Sequence, residues 1–122
     1  MVVKVVDTSA LAAILFDEPG ADLVASQLVE ATLVAPSLLA YELANVCLIK
    51  LRRHPEQRDV LLATYALRDR IPLEMVEVDH TAVLEAAVRT GLTAYDASYY
   101  WLARKLGAEL VTLDRQLASA AK

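Results

Sequence analysis

The chain opens with a β-branched run that stops at an acid, and this constrains everything after it. Val2, Val3, Val5 and Val6 form an apolar stretch interrupted only by Lys4, the kind that fills a strand buried on both faces of a parallel sheet. Asp7 follows at the strand's carboxyl end, and Leu11, Ile14 and Leu15 then recur at helical spacing. In open α/β sheets ligands bind at that carboxyl edge, so an acid there is placed for chemistry. Asp is also a preferred helix N-cap, which gives Asp7 a purely structural reading. The pattern recurs near the other end: Leu110, Val111, Thr112 and Leu113 form a second buried-type run, followed by Asp114 and a short helical stretch to Ala121. Two strand-end aspartates in one small sheet predict a shared site.

Between these ends, strands and helices alternate. Asp17-Glu18-Pro19-Gly20 reads as a turn, and Ala21 to about Ala31 as a helix. A short strand, Leu33 to Ala35, precedes Pro36, and Ser37 is a natural N-cap for a long helix to about Arg53. After Pro55, the stretch from Glu56 to about Arg70 reads as one amphipathic helix, and Leu73 to Val78 as a short strand. Asp79 resembles a cap for the helix Thr81 to Thr90, which Gly91 closes. Thr93 and Asp96 have capping-box spacing ahead of a helix running from Ala97 to Leu106, which Gly107 ends. The alternation predicts one α/β domain over residues 1–122, with a parallel sheet of four or five short strands between helices. A chain of this length buries a core without disulfides or metal staples.

Two further acids stand out inside helices. Glu42 lies in line with Leu39, Val46 and Ile49 on one face, where an unpaired charge is costly. Its structural reading is a partly buried salt bridge; its functional reading is a ligand, with Asn45 lining the same site. Asp96 shares a face with Tyr99, Tyr100 and Ala103. Lys50, Arg52 and Arg53 close the long helix, where cations complement its dipole, and they are also candidate phosphate contacts. His80 reads as a solvated helix-start residue and Cys47 as a small buried hydrophobe.

With 12 basic against 16 acidic residues, the formal charge of −4 argues against holding nucleic acid by general basicity. The sequence is 57% hydrophobic with a mean hydropathy of +0.39, which suits apolar surface reserved for a partner. No apolar run reaches membrane-spanning length, and no secretory leader pattern opens the chain, so a cytoplasmic protein is expected.

Asp7, Glu42, Asp96 and Asp114 make a stronger case together than singly. Oxygen-only ligands favour hard ions such as Mg²⁺ or Mn²⁺, and the lack of Cys/His spacing argues against zinc. Ions held this way activate water and stabilise charge on a phosphate, so phosphodiester hydrolysis is the natural reaction class.

At this point DTSAL, YELANV, TAYDASYYWLARKLG and LVTLDRQLA resemble, in order, the motifs of PIN-domain ribonucleases, in particular VapC-type toxins of toxin–antitoxin pairs. The resemblance implies a three-layer PIN-like fold with metal ligation by Asp7, Glu42, Asp96 and Asp114, and a water activated for attack on RNA. It further implies supporting hydroxyls at Thr112 and at Thr8 or Ser9, a homodimer, and a cognate antitoxin whose segment covers the site. Some relatives carry another acid just beyond the last aspartate, where this chain has Arg115 and Gln116; Arg115 joins the candidate phosphate contacts. Two other classes compete. A receiver-like Mg²⁺-binding signalling domain shares the layout, but such domains usually have paired acids after the first strand and a Lys after the last. A non-catalytic PIN-like interaction module would have no need of all four acids.

Overall fold

The computed structural model describes residues 2–122, and Met1 lies outside the described residues. A sheet of four parallel strands runs through the centre: β1 (Val2–Val6), β2 (Ala31–Pro36), β3 (Leu73–Val76) and β4 (Glu109–Val111), in the order β3-β2-β1-β4. From β1 the chain crosses to one side for β2 and β3, then returns to the other side of β1 for β4. The crevice between the carboxyl ends of β1 and β4 is thus the topological switch point of the sheet. Receiver-type sheets have the order 2-1-3-4-5, so this arrangement parts from that alternative.

Strand alternation sorts the two faces. Leu73 and Met75 line one cavity with Leu11, Leu39 and Leu43, which places α1 (Thr8–Leu15) and α3 (Leu38–Arg53) on that side. Glu74, Val76, Thr32 and Val34 instead share a groove with Trp101 and Leu102 of α6 (Ala94–Leu106) on the opposite side. The remaining helices are α2 (Ala21–Leu28), α4 (Arg58–Ala66), α5 (His80–Thr90) and α7 (Arg115–Ala120). The core joins both layers through fully buried Val5, Val6, Leu39, Tyr99, Val111 and Leu117. Burying each such aliphatic or aromatic side chain contributes roughly 1.5–3 kcal/mol.

Several boundaries depart from the sequence reading. The second helix stops at Leu28, because Glu30 takes a left-handed φ of 58° that turns the chain into β2 from Ala31. Ser37 does not cap α3; its backbone is itself helical, and its hydroxyl donates to Glu77 Oε1 at 2.7 Å. The expected helix from Glu56 to Arg70 is three pieces, with 3₁₀ turns at Pro55–Gln57 and Leu67–Arg70 flanking α4. Strand β3 ends at Val76, short of Val78. Cys47 is buried and His80 exposed, as expected. Among the described residues, no helix is long and apolar enough to cross a membrane.

Candidate active site

Asp7 is the fixed point. Its backbone leaves β1 and donates to Val111 O at 3.2 Å, keeping β1 and β4 in register one residue past their last paired strand residues. Its side chain then turns into α1 as an N-cap, Oδ1 accepting from Ala10 N at 3.0 Å. The capping reading and the site reading therefore hold at once. Ser9 Oγ donates to Oδ1 at 2.8 Å and Thr112 Oγ1 donates to Oδ2 at 2.5 Å. Each hydroxyl also accepts a backbone N–H from the segment after β4, Leu113 N to Ser9 at 2.9 Å and Asp114 N to Thr112 at 2.9 Å. Two relays thus run from the end of β4 through hydroxyls to the two oxygens of one carboxylate.

Asp114 caps α7 through Oδ1, which accepts from Leu117 N at 3.0 Å and leaves Oδ2 free. Asp96 stands at the start of α6, which begins at Ala94 rather than Ala97; its N–H is capped by Thr93 Oγ1 at 3.1 Å. The carboxylate itself makes no hydrogen bond among the described residues, so the return arm of a capping box is missing. Glu42 sits a little over one turn into α3, and its Oε1 accepts from Thr8 Oγ1 at 2.9 Å and from Tyr99 Oη at 2.6 Å.

Among the described residues, the salt bridge of Glu42's structural reading is not formed, and no cation pairs with the other three acids. Among the described residues, the ion pairs are Lys4–Glu109, Lys50–Glu18, His54–Glu56 and Arg68–Asp69, none of which involves the four carboxylates. Their charges are felt mutually. Burial lifts the Asp96 carboxyl above its ordinary range, and Asp114, Glu42 and Asp7 push it further. Burial also lifts Asp7, against the pull of its hydrogen bonds from Thr112, Ala10 and Ser9, and Asp114 adds to the rise. Four acids from four elements therefore share one field at the switch point.

Tyr99 is the residue sequence reasoning missed as part of this site. It is 1% exposed. Burial and the hydrogen bond to Glu42 push its phenol well above its usual value, so it remains a neutral donor. The helical row through Asp96 placed Tyr99 on the correct face, but its partner Glu42 is 57 residues away and no local pattern announces the contact.

Of the other candidates, Thr8, Ser9 and Thr112 all join the network. Asn45 does not: although it shares a helical face with Glu42 by spacing, it is exposed and lines an apolar groove with Tyr41, Leu48, Leu62 and Tyr65. Lys50 bridges Glu18 at 2.6 Å and lies over the Phe16 ring, so its ammonium is already engaged within the chain. Arg52 and Arg53 are exposed in the last turn of α3, about 15 Å along the helix from Glu42. Arg115 stays beside Asp114 and is exposed.

A hard divalent cation fits the donor set in kind. All four groups are carboxylates, and among the described residues no cation neutralises them and Asp96, Glu42 and Asp114 each present an unbonded oxygen. Among the described residues, no three such side chains are already drawn into a closed ligand cage. Uncompensated like charges hold apart for the same reason that a cation would draw them together.

A PIN-domain family model matches residues 4–122. The chain belongs to the PIN-domain family. This PIN domain is 33% identical over 119 residues to Ribonuclease VapC3 of Pyrobaculum aerophilum, covering 93% of this chain and 91% of that one. A 40-residue stretch is 52% identical to Exonuclease VapC9 of the same organism, spanning 33% of this chain and 30% of that relative. The crystal structure of PAE2754 from Pyrobaculum aerophilum superposes with a TM-score of 0.70 at 29% identity, covering 100% of this chain and 89% of that one. The parallel sheet flanked by helices is thus the PIN arrangement, with four strands here.

Proposed function

We propose that this PIN domain is a divalent-metal-dependent endoribonuclease, the toxin of a VapC-type toxin–antitoxin pair. What carries the reading is that Asp114, Glu42 and Asp7 all act on the half-buried Asp96 carboxyl, with no cation paired to any of the four among the described residues. The similarity to Ribonuclease VapC3 over most of both chains supports RNA as the substrate.

Asp7, Asp96, Asp114 and the free oxygen of Glu42 would hold Mg²⁺, or Mn²⁺ in its place. A bound divalent cation lowers the pKa of water and neutralises charge gathering on a phosphate. The protein's own share is placement. Ser9 and Thr112 fix both oxygens of Asp7, so its free lone pairs point one way. Thr8 and Tyr99 pin Oε1 of Glu42 and leave Oε2 to act. Asp96, half-buried and without a hydrogen bond of its own, is the group best placed to accept a proton as the field changes.

We further assign a cognate antitoxin whose segment covers the site and a second copy of the chain in a homodimer; the apolar groove of Tyr41, Leu48, Leu51, Leu62 and Tyr65 between α3 and α4 supports a protein partner in general. A cytoplasmic setting follows from that pairing.

The reading is tested by incubating the purified chain with a mixed pool of tRNA and other structured RNA in Mg²⁺, Mn²⁺ or EDTA, beside Asp96→Asn. Cleavage is expected with either metal, none in EDTA and none in the variant. Equal cleavage by the variant, or cleavage in EDTA, overturns it. Internal cuts in a circular RNA separate an endonuclease from the exonuclease mode named for one relative.

A further inference from the structure

Beside the carboxylates the surface changes character. A pocket of about 250 Å³ opens between the first turns of α3, α5 and α6, lined by Leu38, Val78, His80, Val83, Leu84 and Tyr95. Its place relative to the site is fixed by helix geometry. Tyr95 is the residue before Asp96, and Leu38 lies one turn before Glu42 on the same face of α3. Tyr95 is 64% exposed and Leu84 60% exposed, so large apolar groups stand open to water at the rim. The Ser98 hydroxyl is turned back onto Tyr95 O at 2.6 Å, which leaves the pocket wall apolar.

We propose that this pocket holds one unpaired nucleobase of the RNA strand, next to the phosphate the carboxylates address; the inference rests on the nuclease reading above. Charge gives the reason. The crevice beside the pocket is acidic and the pocket lining itself carries no Lys or Arg; Arg115 stands beside Asp114, while Lys50, Arg52 and Arg53 occupy the last turn of α3 and Arg104 and Lys105 the last turn of α6, at the far ends from Glu42 and Asp96. A polyanion gains little ionic attraction at such a rim, so its anchoring there must come from its uncharged parts. Bases stack on aromatic rings irrespective of phosphate charge, and unstacked bases of single strands are the parts of RNA that proteins grip this way. Tyr95 supplies the ring, Leu38, Val83 and Leu84 supply the apolar bed, and the exposed His80 offers one donor and one acceptor to a base edge when neutral.

The test is a titration of the full chain with short single-stranded RNA in Ca²⁺, each RNA carrying 2-aminopurine or an abasic residue at one position. One position is expected to show quenched fluorescence, and its abasic form to bind about tenfold more weakly. Tyr95→Ala should lose both effects and Tyr95→Phe keep them. Unchanged quenching and affinity in Tyr95→Ala overturn the proposal, as does RNA binding that is indifferent to abasic residues. Intact RNA binding in Tyr95→Ala, with a dimer turned monomer in light scattering, assigns the pocket to a second copy and overturns it too. Cleavage is scored separately. Cutting with unchanged KM and cut sites in Tyr95→Ala removes the base pocket and leaves the nuclease. Tyr95-dependent quenching in a chain that cuts no RNA removes the nuclease and leaves the pocket, and no RNA binding at all removes both.

Discussion

Thr112 holds Asp7 across the gap between β4 and β1, donating to its Oδ2 from 105 residues further along the chain. The Thr112 hydroxyl oxygen in turn accepts the backbone N–H of Asp114, so one hydroxyl ties both strand-end aspartates into a unit.

Replacing Thr112 with Val keeps the shape and removes both bonds. The Asp114 N–H loses its acceptor, which costs about 1–3 kcal/mol. Urea denaturation should show a lower midpoint at unchanged slope, and RNA cleavage should fall with the loosened Asp114.

The metal-free protein should become less stable as pH rises from the ordinary Asp range toward neutrality. Folding lifts Asp7 above its usual 3.8, and lifts Asp96 in the same direction, so the native state binds these protons more tightly than the unfolded chain does. The stability they contribute is full below the ordinary value and is lost as pH climbs through the raised one. Denaturation in EDTA across that window checks this. Asp7→Asn, which cannot ionise, should flatten the slope and abolish stabilisation by Mn²⁺, while giving up at least one of the bonds the two carboxylate oxygens accept from Ser9, Ala10 and Thr112.

Tyr99→Phe leaves the core filled and removes one of the two donors on Glu42 Oε1. Outer partners of metal-binding groups typically change affinity by about 10–100-fold. Calorimetric titration with Mn²⁺ should show that weakening, with a melting temperature close to the parent's. Equal Mn²⁺ affinity would assign Tyr99 to packing alone.

Arg115→Ala should reduce the salt dependence of RNA binding by the slope of about one phosphate contact, whereas Lys50→Ala should leave the slope unchanged because Lys50 is bound to Glu18. A slope altered by Lys50→Ala alone would reverse this assignment.

Gly20 takes a φ of +94°, and a Cβ there would meet Leu113 Cδ1 at 2.9 Å. Gly20→Ala should therefore destabilise by about 1–2 kcal/mol from the backbone alone, while the flexible end of Leu113 yields. Thermal unfolding reads the loss.

The parts of this fold that rest on short-range rules were legible in the sequence. The strand at β1, the caps at Asp79 and Thr93 and the glycine stops at Gly91 and Gly107 need only neighbouring residues and are found where read, although β1 is buried only at Val5 and Val6 while Val2 and Val3 are exposed, so it is not buried on both faces along its length. Ser37 misled because a Ser ahead of a helix is a good cap only when its backbone is extended, and here Glu77, the residue just after β3, offered its carboxylate instead. The single helix expected before Pro72 broke into pieces because its periodicity does not distinguish α from 3₁₀ turns. At the site, the acids announced themselves by lying where a cap or an apolar stripe could not fully account for them. Tyr99 and the relay through Ser9 to Leu113 did not, since each depends on elements brought together only by the β3-β2-β1-β4 order.

That order also has a meaning in time. β4 pairs with β1 and carries Asp114 behind it, so the acidic cluster joins a segment made early in synthesis to one made more than a hundred residues later. Contacts of such sequence separation form late in folding, after the loop between them has been closed. A nascent or half-unfolded copy holds Asp7 without its partner strand, and its acids are scattered. Completion of the sheet and assembly of the cluster are one event, so an unfinished chain carries no assembled cluster.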